Sequence, residues 1–267
     1  FDGVVGGEAN TLAGYLLLMM GVIIGLIIYS GRPLHRVLLS GLLGFMIPPF
    51  LFTLSRGGWL GFIPMYISMI ILTKKAKYIL LTSLALIIVS SPVLIPGFVK
   101  QRVASTFVSG KAYSVFGKRI VFEKSAAARI DTWKETLEKW YKRPILGHGA
   151  AGAGFIDSQY ARVLGETGLA GFAVFLWLMA SILRAGMRTL NLMEDDWTRG
   201  LSLGFIAGFT GLLFHAFSAS TFIIIRIMEP FWFLAAIVVM LPEVTGKDLA
   251  AASPGSGNVL MQRGYER

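Results

Sequence analysis

The sequence predicts a polytopic all-α membrane protein, and three observations carry that expectation. First, seven apolar stretches run through the chain, at 11–30, 36–54, 58–73, 77–97, 168–187, 200–220 and 221–242. A helix needs about 20 mostly apolar residues to cross ~30 Å of hydrocarbon, so the third stretch is short and must borrow flanking residues. Second, 55% of the residues are hydrophobic and the mean hydropathy is +0.67, a balance that excludes an ordinary soluble domain. Third, the apolar runs lack period-2 alternation, which removes a membrane barrel. Backbone polar groups in lipid must pair internally, and helices are what remains. Cysteine is absent, so disulfides and thiolate metal sites are excluded and the redox compartment stays open.

The connections set an expected orientation. Arg32, His35 and Arg36 follow the first stretch, Lys74, Lys75 and Lys77 the third, and Arg184, Arg188 and Arg199 flank the fifth and sixth. If the spans alternate, all three sets lie on one side, which the positive-inside rule makes cytoplasmic. Residues 1–10, with Asp2 and Glu8, then start outside without the basic and apolar regions of a signal peptide. That start implies an odd number of earlier spans, so the chain reads as the C-terminal part of a longer membrane protein. A processed mature chain is the alternative. The expected organisation is four transmembrane helices in 1–97, an extracytoplasmic loop at 98–167, three transmembrane helices in 168–242 and a disordered cytoplasmic tail at 243–267, whose Ser-Pro-Gly-Ser-Gly composition suits disorder.

The large loop concentrates charge. Residues 98–166 hold 12 Lys/Arg against 6 Asp/Glu, in a chain of net charge +10. A positive loop beside a membrane points to anionic lipid head groups, diphosphates or acidic glycans, and no nucleic-acid recognition motif is present. Within the loop a helix is expected over about 125–142, with Ser125 as cap. Ile130, Trp133, Leu137, Trp140 and Tyr141 fall on one face at 3.6-residue spacing. That face suits either the head-group layer or packing on the rest of the loop. The glycine-rich run Gly147–Gly154 either lets backbone N–H groups approach an anion or is a plain flexible connection; it lacks the Lys-Ser/Thr of a phosphate-binding loop. His215, Arg226 and Glu229 are ionisable residues inside apolar stretches, where such groups are costly. An internal Arg226–Glu229 ion pair and an interhelical hydrogen bond from His215 account for them structurally. Asp195-Asp196 reads as a solvated turn, and no metal-binding pattern appears.

Four motifs follow one another in order: Ser55-Arg56-Gly57 at the opening of the third span, Arg129-Ile130-Asp131-Thr132-Trp133, Pro144-Ile145-Leu146-Gly147-His148-Gly149, and Glu166-Thr167-Gly168-Leu169-Ala170-Gly171. With Glu8-Ala9-Asn10 before the first span, this set resembles the O-antigen ligase and polymerase family of bacterial membrane enzymes across most of residues 8–242. The resemblance implies a glycosyltransferase of the cytoplasmic (inner) membrane, moving a glycan from undecaprenyl diphosphate to an acceptor on a growing glycan, lipid A core or protein. It implies neither metal nor cofactor. Family ligases carry a His, often His-Asn, shortly after Gly-x-Gly, where this chain has Asp157-Ser158-Gln159-Tyr160; polymerases more often show the Asp form.

The implied chemistry assigns residue types. The sugar C1–O bond breaks through an oxocarbenium-like state while charge grows on the departing diphosphate. Arginine binds phosphate oxygens in a bidentate way, which makes Arg56 and Arg129 the expected diphosphate ligands, with Arg102 and Arg119 as further loop candidates. The acceptor hydroxyl needs a base; Asp157 or His148 supplies it, and Glu166 caps the next helix. Two other classes compete: a transporter or channel built on His215, Arg226 and Glu229, and a non-catalytic membrane subunit. No repeated halves favour transport.

Overall fold

A computed structural model describes residues 2–73, 75–94, 97–104, 110–115, 118–154 and 156–246, with side chains of 2–8, 91–94, 98, 110–115 and 118–126 outside that description. The elements are α1 (Asp2–Tyr29), α2 (Pro33–Phe52), α3 (Arg56–Leu72), α4 (Lys77–Leu94), α5 (Gly97–Ala104), β1 (Gly110–Val115), β2 (Lys118–Glu123), α6 (Lys124–Lys142), α7 (Gln159–Leu192), α8 (Asp196–His215), a short 3-10 turn (Thr221–Ile223) and α9 (Ile225–Val244). The expected tail is described only to Gly246, and Lys74 lies outside the described residues.

Among the described residues, four helices are long and apolar enough to cross a membrane: Ala9–Tyr29, Pro33–Phe52, Gln159–Leu192 and Ile225–Val244. Arg56–Leu72 and Lys77–Ser90 are shorter apolar helices. The sequence expected seven spans. Of the other three stretches, α3 is 17 residues long, α4 is apolar over its described side chains Lys77–Ser90, and four glycines with Asp196, Arg199 and His215 dilute the hydropathy of α8. The stretches at 200–220 and 221–242 are separated by an irregular turn and the 3-10 segment. The stretch expected from 168 is the second part of α7, which is kinked at Gly168 (φ 64, ψ −164).

At the centre, α1 crosses α8 at backbone contact. A Cβ at Gly21 would sit 2.7 Å from the Cα of Gly208, and one at Gly204 would sit 2.6 Å from the Cα of Val22. Gly200, Gly204, Gly208 and Gly211 thus line α8 with surfaces that admit another helix backbone. In lipid, where apolar side chains gain little by leaving the solvent, such close van der Waals contact drives helix association. Aromatic residues fill the space beside this crossing: Phe205, Phe209 and Phe231 are fully buried, with Phe209 and Phe231 centroids 4.9 Å apart. The outer helices invert the soluble pattern. Phe45 on α2, Val89 on α4 and Trp177 on α7 are exposed, which suits a lipid surround.

The bundle has two distinct ends. At one, the Nζ of Lys75 lies 3.0 Å from Asp196, and Lys75 and Arg199 both lie over the Tyr29 ring. Asp195 caps α8 by accepting from the N–H groups of Trp197 and Thr198, so the acidic pair is structural. At the other end α3 starts, α8 stops and the 98–167 region attaches. That region holds an antiparallel hairpin pairing Gly110 with Glu123 through to Val115 with Lys118, and then α6, which begins within a residue of the expected position. Ser125 falls inside its first turn, with its side chain outside the described set.

The crossing predicts an asymmetry among glycines. Gly204→Ala forces backbone apart and lowers stability by about 1–3 kcal/mol, as overpacking does. Gly44→Ala on α2, where nothing lies within 4 Å, is tolerated. Thermal unfolding in detergent micelles checks the pair, and equal midpoints would refute the packing role.

Candidate functional site

The site is assembled at the end where α3 begins. Thr53 closes α2 by donating its hydroxyl to the carbonyl of Phe50 at 2.7 Å. Leu54 then adopts φ +52, a left-handed conformation that costs a non-glycine residue of order 1–3 kcal/mol. The reversal places Ser55 as the cap of α3. Its Oγ accepts from the N–H of Gly58 at 3.2 Å and donates to Asn10 of α1 at 2.7 Å. Arg56 is therefore the first residue of α3, half-buried, in a backbone tied to α1. The next residue has no room for a side chain: a Cβ at Gly57 would collide with Ser218 Oγ and lie 3.5 Å from His215 Cδ2.

His215 ends α8 and is fully buried. Its Nδ1 is 2.9 Å from the Thr221 hydroxyl, and its Cε1 lies 3.3 Å from where a Cβ on Gly14 would be. The irregular residues that follow capture the segment carrying Asp157. Ser220 Oγ donates to the carbonyls of Ile156 (2.9 Å) and Asp157 (3.2 Å). The N–H of Gln159 is shared between the carbonyls of Ala216 and Ala219, its side-chain oxygen accepts from the N–H of Phe222 at 3.0 Å, and the Tyr160 hydroxyl donates to the carbonyl of Leu213 at 2.7 Å. These bonds satisfy backbone groups that no helix serves and fix Asp157 beside the end of α8.

The third component is α6. Trp133 packs on Ala153, Ile156 and Ala161, Lys139 donates to the Ala153 carbonyl at 3.0 Å, and the Trp140 indole donates to the Pro144 carbonyl at 2.9 Å. Of the two readings of this helix, packing on the rest of the loop is what the structure displays, with Leu137 and Tyr141 of its apolar face left exposed. So held, α6 brings Arg129 Nε to 3.9 Å from Asp157 Oδ2, with the two side chains 27% and 46% exposed. At that distance the pair is loose, with Arg129 Nε itself shielded from solvent and making no hydrogen bond among the described residues. Through Asp157, α6 thus meets the segment that Ser220 and Gln159 hold beside the end of α8.

The glycine run is neither an anion cradle nor a flexible connection. His148 and Gly149 donate their N–H groups to the carbonyls of Gly165 and Glu166 (3.1 and 2.8 Å), while Leu169 and Ala170 donate to Pro144 and Ile145. Positive φ at Gly147 (67) and Gly168 (64) permits this meshing; a Cβ on Gly168 would lie 2.6 Å from the nitrogen of Gly147. Glu166 does not cap the following helix. Its Oε1 accepts from the N–H of Ala151 and from Arg162 Nε, each at 3.1 Å, bracing the run from behind.

Of the expected site residues, Arg129 and Asp157 are brought together, while Arg56 stands at the start of α3, next to the Gly57 that abuts Ser218 and His215. His148 is half-buried, and its ring makes no hydrogen bond among the described residues, with Nδ1 shielded from solvent. Arg102 lies half-buried on α5. Arg119 is in β2, and its side chain lies outside the described residues. Arg226 and Glu229 are both exposed near the start of α9, so the internal position expected for them is corrected. No group of three or more His, Asp or Glu among the described residues is placed to hold a metal. Sequence reasoning under-read His215, Ser220 and Thr221. Their signal was the polar run Ser218–Thr221 between two apolar stretches.

The O-antigen ligase family model matches residues 44–176, a segment that contains Arg56, Arg129, the glycine run, Asp157 and the Glu166 motif. No curated protein matches the chain.

Glu166→Ala leaves two donors without their acceptor. The expected cost is about 1–3 kcal/mol, with faster proteolytic cleavage inside 147–154. Unchanged cleavage would show that the brace is unnecessary.

Proposed function

Because the chain belongs to the O-antigen ligase family, we propose that it transfers a glycan from undecaprenyl diphosphate to an acceptor hydroxyl at the outer face of the cytoplasmic membrane. The observation that carries this reading is the loose Arg129–Asp157 pair beside the end of α8, 3.9 Å apart. A diphosphate with two phosphate groups outcompetes a half-exposed carboxylate for a guanidinium. Donor binding by Arg56 and Arg129, with Arg102 and Arg119 as additional loop cations, therefore releases Asp157 at the moment a base is wanted.

Asp157 then accepts the proton of the acceptor hydroxyl as its oxygen bonds to C1 of the donor sugar. The C1–O bond to the diphosphate breaks, and undecaprenyl diphosphate departs with the bonding pair. The arginines stabilise the growing charge in place, without reorganisation. His148 is the alternative base. Metal is not required by this scheme, because the guanidinium groups supply the positive charge. The 98–167 region lies outside, the Lys75–Asp196 end and the C-terminus inside, and the acceptor is a growing glycan, lipid A core or protein.

Purified full-length protein in proteoliposomes, given a synthetic lipid-diphosphate oligosaccharide and acceptor without nucleotide or metal, is expected to release undecaprenyl diphosphate. Arg56→Ala and Arg129→Lys should each lower turnover about 10²–10³-fold, the scale for a lost preorganised donor of ~3–4 kcal/mol. Asp157→Asn should lower it about 10²–10⁴-fold. Full turnover in both arginine variants would end the assignment. A single capped conjugate identifies a ligase and a ladder of lengths a polymerase.

Sidedness has its own test, since the chain has no native cysteine. In intact cells with a permeabilised outer membrane, Tyr141→Cys should react with an impermeant maleimide and Trp197→Cys should not. The reverse labelling would overturn the orientation.

A further inference from the structure

The turn joining α1 to α2 borders a space that the chemistry at the other end of the bundle leaves unused. Tyr29, Arg32 and His35 from this turn, with Asp196 and Trp197 from the start of α8, are among the residues lining a cavity of about 330 Å³. Ala9–Tyr29 and Pro33–Phe52 are each long and apolar enough to cross a membrane. The turn between two such spans stands at the depth of lipid head groups.

Both signs of charge line this cavity, and part of each is unspent. The Arg32 and His35 side chains are exposed and make no hydrogen bond or ion pair among the described residues. Asp196 Oδ1 accepts from Lys75 Nζ at 3.0 Å, while Oδ2 has no hydrogen-bond partner among the described residues. Oδ2 faces the turn: a Cβ on Gly31 would lie 3.6 Å from it. The Tyr29 ring is already covered by Lys75 and Arg199, 5.6 and 5.4 Å from its centroid. The exposed indole of Trp197 is the lining aromatic surface left for a further cation.

These groups select a ligand. A simple anion would meet the Asp196 carboxylate, and a simple cation would meet the Arg32 guanidinium. A zwitterion with a phosphate and a primary ammonium a few bonds apart satisfies both. Its phosphate oxygens accept from the guanidinium fork, and its ammonium donates to Oδ2. Past the cavity, α2 continues with Leu34, Val37, Leu38 and Phe45 exposed, an apolar surface that acyl chains cover and a free head group would not use.

We propose that this cavity binds the head group of an aminophospholipid: Arg32 and His35 take the phosphate, Asp196 Oδ2 and Trp197 take the ammonium, and the acyl chains lie along α2. Asp196 then serves with both oxygens, Oδ1 tying α8 to Lys75 and Oδ2 receiving the lipid. The bound lipid links the α1–α2 turn to the start of α8.

Native mass spectrometry of the delipidated full chain compares dioleoyl phosphatidylethanolamine with dioleoyl phosphatidylglycerol, and with O-phosphoethanolamine as the free head group. The ethanolamine lipid is expected to bind about tenfold tighter than the glycerol lipid, the scale of one hydrogen bond to a charged group. Arg32→Gln should weaken both lipids about tenfold, since both carry the phosphate. Asp196→Asn should weaken the ethanolamine lipid alone and erase the preference. Lys75→Gln cuts the same ion pair but keeps the carboxylate, so the preference should persist. Equal affinities for the two lipids, or a preference that survives Asp196→Asn, would overturn the proposal. So would an Arg32→Gln variant that binds both lipids normally. A preference lost as fully in Lys75→Gln as in Asp196→Asn would reduce Asp196 to its ion pair and overturn it too. O-phosphoethanolamine binding as tightly as the lipid would refute the lipid as occupant. None of these readings uses glycan transfer, so a protein inert toward lipid diphosphate leaves this site standing.

Discussion

Backbone that leaves a helix near hydrocarbon has no water to turn to, and in this chain residues 213–224 are where that demand is met. The carbonyls of Leu213, Ala216 and Ala219 accept from Tyr160 and Gln159, and Ser220 returns two contacts to Ile156 and Asp157. The exchange is mutual: two irregular segments about 60 residues apart satisfy one another. Because Asp157 rides on one of them and His215 precedes the other, solving the hydrogen-bond problem also builds the site.

That arrangement depends on how deeply α8 can sit. Its glycines bring its backbone against α1 and, through Gly211 and Gly61, against α3. Larger residues would hold the helices apart, and His215 would no longer meet Gly14 and Gly57. The same economy of side chains recurs outside the bundle, where Gly147 and Gly168 let two loops mesh backbone to backbone. Glycine here sets distances between elements; it does not confer mobility. Besides Ala151 in the glycine run, Leu54 is the non-glycine residue in a left-handed conformation, and it turns α2 into α3 and leaves Arg56 at a helix start.

Electrostatically the junction is set up for exchange. A tight buried Arg–Asp pair would lock both groups, since breaking such a pair strands a charge in a poorly solvated place. The observed pair is long, at 3.9 Å, and its carboxylate is half-exposed, so Asp157 is not locked to the guanidinium. The opposite end contrasts with it: Lys75 and Asp196 meet at 3.0 Å in an ion pair that ties α8 to the turn after α3.

The sequence by itself determined the helical membrane class, the bounds of α6 and the family, and it singled out Arg56, Arg129 and Asp157 as candidates. Apolar length, 3.6-residue periodicity and ordered short motifs are local properties, readable without folding the chain. It did not determine that Arg129 reaches Asp157, that Glu166 braces the glycine run, or that Arg226 and Glu229 stand exposed at a helix end. It flagged His215 as an ionisable residue in an apolar stretch but not that its ring meets Thr221 beside the segment carrying Asp157. Only the tertiary structure decided these points. Each depends on which distant backbone satisfies an irregular segment and on how closely two helices approach, and neither quantity is written in the spacing of residues along one element.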